Sequence, residues 1–321
     1  DITGAISTLN INSSMTKSAG SGISKMEFNL NNSGAVTVNS GELWLGDTNA
    51  SGTSTGSFTV DAGAFLGLGG NLTFPAGSSF TGAGGLIYYA GGTSVIGSGY
   101  DLAGPLDLRA GTLEFSSHEN ISDNLSVKTG TLRFVQGATV TGNATLTSGT
   151  LELAAASSIS GNVTHLLTNL VADGDLPVGG GYAQSGGSLS GAGTVTITGL
   201  FEWSGGHQGV TGAARGATIA NGGMVLSGPS IRHFRDRVLT LNGPSSWTDG
   251  SLYLYDGSVL NVNSPLDIQS DKSMSDITGA ISTLNINSSM TKSAGSGISK
   301  MEFNLNNSGA VTVNSGELWL G

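Results

Sequence analysis

The segment PLDLRAGTLEF at residues 105–115 returns as NLSVKTGTLRF at 124–134 and as NATLTSGTLEL at 143–153, 19 residues further on each time. Gly111, Gly130 and Gly149 mark the same point in each copy. On both sides of that glycine, apolar and polar residues alternate with a period of two, the pattern of short strands with one buried face. Leu106, Leu108, Leu113 and Phe115 form the apolar set of the first copy. Leu125, Val127, Leu132 and Phe134 match them in the second, and Ala144, Leu146, Leu151 and Leu153 in the third. A unit this short cannot bury its apolar face alone and must lie on a copy of itself. The period therefore predicts an all-β fold, a right-handed parallel β-helix (β-solenoid) with rungs of about 19–22 residues. Each rung turns through two or three short strands, and each strand pairs with its counterpart about 4.8 Å away on the next. Stacking at this period also places Glu114, Arg133 and Glu152 in one outward column of alternating charge.

Longer rungs follow. VTITGLFEWSGG at 195–206 matches VLTLNGPSSWTDG at 238–250, with Gly199 and Gly243, and Trp203 and Trp247, each 44 residues apart. We read that spacing as two rungs, with GATIANGGMVLSG at 216–228 and GSVLNVNSPLDI at 257–268 as the alternating partners. Gly41 and Gly63, in AVTVNSGELWL and SFTVDAGAFLGL, are 22 apart. Gly111, Gly130, Gly149, Trp203 and Trp247 are thus expected at structural corners. From 157 to 190 the alternation is lost, and HLLTNLVADGDLPVGGG reads as a loop or a single helical turn. Asn124, Asn143 and Asn162 keep the 19-residue spacing and are expected to form an Asn ladder at a turn, in preference to glycosylation sites.

A second, longer period encloses the first. Residues 276–321 repeat residues 1–46 without a mismatch. Residues 1–275 are accordingly one full solenoid module and 276–321 the start of the next. At the rung length above, a module holds about 13 rungs and rises about 60 Å. The chain begins and stops inside this pattern, so its ends read as the edges of a window on a longer array. No capping segment is apparent, so a further module or subunit is expected to cover each end.

Composition narrows the function classes. The 53 glycines and 11% charged residues depart far from globular averages, yet the chain is 37% apolar, which argues against disorder. Only 6% is aromatic, so the expected core is built from Leu, Val, Ile and Ala. A net charge of −10 with no basic stripe argues against nucleic acid as a partner. No apolar run reaches the length of a transmembrane helix. The absence of cysteine leaves stability to stacking.

LSGAGTVTITGLFEWSGG at 189–206 and RDRVLTLNGPSSWTDGSLYLYDGSVLNVNS at 235–264 resemble the repeats of giant bacterial surface proteins of the filamentous-haemagglutinin and autotransporter-associated β-solenoid type. The resemblance covers about a quarter of the chain well and rests on a Gly-flanked TVT strand and a W-x-x-G corner. It implies an extracellular, cell-surface role, either structural or adhesive, and carries no catalytic residues.

Chemistry is sparse. GTSTG at 52–56 fits the nucleophile-elbow pattern, but no helix follows it and a chance match is the better reading. His118, His165, His207 and His233 show no metal-ligand spacing and are expected in solvent-facing turns. Asp173 and Asp175 are a weak substitute for a calcium loop, and no metal or cofactor is expected. Arg232–Arg237 is the one dense charged segment. Arg232, His233, Arg235 and Arg237, with Arg215 and His207 nearby, are the candidate glycan or anion contacts, weighed against a plain structural turn. The scattered carboxylates argue against a polysaccharide lyase or hydrolase. The expectation is therefore a non-enzymatic structural repeat protein whose main partner is itself, with a glycan-binding adhesin stalk as the alternative.

Overall fold

The computed structural model describes residues 6–321; Asp1–Ala5, the first residues of the first copy, lie outside the described residues. The chain divides into two compact units, Asp1–Ser157 and Ser158–Gly321. Each is a parallel β-solenoid, together about 16 turns, and no helix occurs among the described residues.

In the first unit the 19-residue period becomes a turn of three strands. Leu106–Leu108, Thr112–Phe115 and Glu119–Ile121 make one turn, and Leu125–Val127, Thr131–Phe134 and Ala138–Val140 the next. Each strand pairs in parallel with the third one after it, so that Leu113 lies beside Leu132, and Leu132 beside Leu151, while Arg133 lies between Glu114 and Glu152. Alternation then sends every apolar residue of the repeat inward. All twelve residues of the three apolar sets above are buried. Each large one contributes roughly 1.5–3 kcal/mol on transfer from water. The outward charge column closes as expected, with Arg133 at 3.4 Å from Glu114 and 3.2 Å from Glu152.

The corners depend on glycine. Gly111, Gly130 and Gly149 have φ of 68°, 83° and 81°, a region that other residues enter only with strain. A second constraint is closeness: a Cβ on Gly130 would lie 2.2 Å from the Gly111 carbonyl oxygen, and one on Gly149 2.3 Å from that of Gly130. The corner column is backbone against backbone.

Few as they are, many of the aromatic residues are buried. Phe58, Phe74, Phe80, Phe115 and Phe134 are fully buried. Phe115 stacks on Phe134 at 5.1 Å between ring centroids, and Phe58 on Phe80 at 4.8 Å. The core is built mainly from Leu, Val, Ile and Ala, as composition led us to expect, and the aromatic residues add stacked columns to it, because adjacent turns present the same inward position and a ring stacks well on its own kind.

In the second unit Phe201–Trp203, Met224–Leu226 and Ser245–Trp247 are successive strands of one sheet, with Trp203 beside Leu226 and Leu226 beside Trp247. The 44-residue spacing is thus two turns. Both tryptophans point into the core and cap their corners, donating to the carbonyls of Gly205 at 2.9 Å and Gly250 at 2.7 Å.

Within residues 158–190 the structure overturns the reading of a loop or helical turn. Val163–His165, Asn169–Ala172, Leu176–Val178, Tyr182–Gln184 and Ser188–Ser190 are strands in the same three-per-turn order, with Val163 opposite Tyr182 and Asn169 opposite Ser188. The alternation is obscured because His165 and Gln184 point inward while Leu167, 70% exposed, points out.

The second copy of the long repeat continues the stack. Val259–Val262 pairs with Thr283–Ile286, and Leu266–Ile268 with Ser289–Lys292. Inside the copy, Leu284 lies opposite Leu305 and Met290 opposite Val311, as Leu9 lies opposite Leu30 and Met15 opposite Val36 in the first. Outward amide ladders run through residue 276 unbroken. Asn285 donates to Asn261 at 2.7 Å and Asn306 to Asn285 at 2.8 Å; Asn242, Asn263 and Asn287 each donate to the asparagine one turn back, at 2.9, 3.0 and 2.8 Å. At Asn124 and Asn162 the side-chain oxygen bonds to the backbone of the next turn. The Asn124 oxygen accepts the Asn143 backbone N–H at 2.9 Å, and the Asn162 oxygen that of Gly181 at 2.7 Å.

Candidate functional site

The dense charged segment is a strand, Arg232–Arg235, followed by a corner at Asp236 with φ of 39°. Strand alternation splits its side chains between two faces. Arg232 and Phe234 point inward; His233 and Arg235 point outward; beyond the corner, Arg237 points inward again. The four candidate contacts are therefore not one surface.

Arg232 is fully buried. Its guanidinium donates to the carbonyls of Trp203 at 3.1 Å, Ser227 and Asp249 at 2.6 Å each, Gly228 at 3.2 Å, and Ser230. Burial pulls its pKa down to about 10, against the opposing effect of Asp249, so it stays charged near neutrality. It braces the 227–231 corner from inside, because a fork of five donors can satisfy carbonyls that the irregular chain leaves unpaired.

Arg237 is equally buried and belongs to a chain of polar side chains inside the unit. Gln208 donates to Gln184 at 2.6 Å, Thr218 to Gln208 at 2.8 Å, and Arg237 to Thr218 at 3.0 Å, with further Arg237 donors on the Ala217 and Gly191 carbonyls at 2.7 and 3.3 Å. Burial draws the Arg237 pKa down to about 10 as well. The sequence reading missed this network. Its only signal was alternation, which aligns Gln184 with the inward Trp203.

His165 also departs from expectation. It is buried, with Nδ1 at 2.8 Å from the Tyr182 hydroxyl and Nε2 at 2.7 Å from the Thr168 carbonyl. Burial lowers its pKa, against the opposing Thr168 hydrogen bond. His118 is exposed, as expected.

The outward side chains make a stripe on one sheet. His207 stacks on His233 with centroids 4.6 Å apart and planes at 14°. The His233 Nδ1 lies 3.0 Å from the Tyr255 hydroxyl, and Tyr253 meets the same ring edge-on at 6.0 Å. Arg235 lies over the Tyr255 ring, 3.6 Å from its centroid. Arg215 is drawn off to Asp236 at 3.5 Å. Beside the stripe, residues 209–216 connect two strands that the preceding turn joins with 191–193 alone. Under this longer corner lies a pocket of about 300 Å³, lined by Ser188, His207, Gly209, Val210, Thr211 and Arg235.

Other sequence candidates resolve into structure. Ser54 of GTSTG is buried and accepts a hydrogen bond from Asn32 at 3.1 Å, with no helix after it. Asp175 accepts the Thr194 backbone N–H at 2.9 Å, and no cluster of three His, Cys, Asp or Glu suited to a metal occurs among the described residues. No helix among them is long and apolar enough to cross a membrane. No protein-family model matches the chain, and neither the curated proteins nor the solved structures yield a match.

Proposed function

We propose that the chain is a stretch of an extracellular structural repeat protein, in which 275-residue solenoid modules stack end to end into a rod, fibre or sheath and no catalysis takes place. One observation carries this reading: where the sequence starts over at residue 276, Leu284 lies beside Leu260 and Met290 beside Leu266, and the stack proceeds without a bulky loop. A sequence that restarts in register adds length without adding a new fold. Interstrand hydrogen bonds and stacked inward columns would make such a rod stiff along its axis, while Ser, Thr and Asn face outward. The likeness of 189–206 and 235–264 to haemagglutinin-type surface repeats supports a bacterial cell-surface location. Imaging of native material tests the reading. It predicts filaments with an axial repeat of about 60 Å; compact isolated particles lacking any such repeat would overturn it.

An adhesin is the second reading, favoured by the outward stripe of His207, His233, Arg235 and Tyr253, which the stacking itself does not require.

A further inference from the structure

We propose that the stripe formed by His207, His233, Arg235 and Tyr253, with the pocket beneath residues 209–211, is a binding site for an acidic saccharide. The carboxylate or sulfate would sit against Arg235 and the imidazoles, and a sugar face would lie on Tyr253. This goes beyond the structural reading and does not depend on it; a rod that binds nothing here remains a rod.

Arg235 is the cation at the centre of the stripe. In a chain of net charge −10, it makes no ion pair among the described residues. Its position is held by the Tyr255 ring beneath it and a long contact from Nη1 to the Thr211 hydroxyl at 3.4 Å. A guanidinium stacked on a ring keeps its edge donors available, and those donors match a carboxylate or sulfate edge. The neighbouring acid, Asp236, is already engaged by Arg215 at 3.5 Å.

The pocket supplies the remaining chemistry. Its lining combines the Ser188 and Thr211 hydroxyls, the His207 ring and the Val210 side chain, which is 41% exposed. The Ser188 hydroxyl already donates to Asn169 at 2.9 Å and offers its oxygen as an acceptor; with the Thr211 hydroxyl, a cation and an apolar wall, this lining suits a sugar that carries an anionic group. Tyr253 extends the stripe one turn further with an outward ring.

The imidazoles add a proton linkage. His207 has its pKa lowered by burial first and then by Arg235, and His233 by burial first, then by His207, then by Arg235. The other charged groups on the packed elements are the Arg215–Asp236 pair and Asp276 on the next strand, the latter accepting from Ser282 at 2.8 Å. An anion placed against both rings favours their protonated forms, so binding takes up protons and strengthens in acid.

The test is calorimetric titration of the full chain with a sulfated or uronic acid tetrasaccharide, a neutral tetrasaccharide of the same length, and inorganic sulfate, at about pH 5.5 and pH 8. The proposal expects the acidic saccharide to bind about tenfold tighter at the lower pH, and Arg235→Gln to weaken it about tenfold. Because Arg235 faces outward, that variant should keep the circular dichroism of the parent. The His207 and His233 NMR titrations should move to higher pH with ligand. Equal binding of the neutral saccharide, binding of sulfate as tight as that of the saccharide, indifference to Arg235→Gln, or no binding at the lower pH would each overturn the proposal.

Discussion

Lys17 and Lys292 hold the same place in the two copies of the repeated 46 residues, and their surroundings differ. Lys292 is fully buried and donates to the Ser270 carbonyl at 3.1 Å, Asp271 at 2.9 Å, the Ala294 carbonyl at 3.1 Å and the Ser299 hydroxyl at 3.0 Å. Among the described residues, Lys17 donates to the carbonyls of Ala19 and Gly20 alone, both at 3.2 Å. The turn that ends at Asp271 thus completes a socket around the lysine of the following copy. Lys292→Ala should destabilise the surrounding turns by about 2 kcal/mol, because it strips buried acceptors of their donor. Lys17→Ala should change stability by no more than about 0.5 kcal/mol. Hydrogen exchange over 289–300 in the first variant and over 14–26 in the second checks both.

A pair of glycines distinguishes backbone strain from steric exclusion. Gly63 has φ of 76° but open space where a Cβ would stand; Gly130 has φ of 83° and the Gly111 carbonyl 2.2 Å from that place. Gly63→Ala should cost about 1 kcal/mol through strain alone. Gly130→Ala must push adjacent turns away from each other and should lose several times as much, read as a drop in the denaturation midpoint followed by circular dichroism.

The buried His165 ties stability to pH. Its folded pKa is lowered by burial, so the unfolded chain binds the proton more readily. Stability is present in full above the unfolded value of about 6.5 and falls as the pH drops through and below it. His207 and His233 act in the same direction. His165→Gln should flatten the acid slope measured by urea denaturation at a series of pH values.

Glu119 acts in the opposite sense. Burial raises its pKa, against Ser117 and His118, so its folded-state contribution is present in full at acid pH and is lost as pH rises through the folded value. Glu119→Gln should therefore raise the denaturation midpoint at pH 7 and leave it little changed in acid.

What could be read from sequence, and what could not, follows one physical line. The 105–153 turns were legible because their inward residues, Glu119 apart, are apolar, so alternation and the 19-residue period agree. Glu114, Arg133 and Glu152 confirmed the register because opposite charges face each other only at that offset. The turns at 158–190 were hidden by inward His165 and Gln184, whose hydrogen bonds inside the unit no pattern reveals. Arg232 and Arg237 misled for a related reason. A charged side chain is expected in solvent, yet irregular corners expose enough carbonyls inside to satisfy a guanidinium. The outward stripe was half visible: His233 and Arg235 stood out as charge, whereas Tyr253 comes alongside only through pairing one turn on.

The central claim, that the second copy stacks in register on the end of the first module, can be measured across the seam. Asn261 and Asn285 are direct neighbours on adjacent turns, and the chain has no cysteine to confuse a label placed there. Nitroxides at Asn261→Cys and Asn285→Cys should couple strongly, as labels on strands about 5 Å apart do, and should match a reference pair at Asn10→Cys and Asn31→Cys. Spectra showing the 261–285 pair uncoupled while the reference pair remains coupled would contradict the continuous stack.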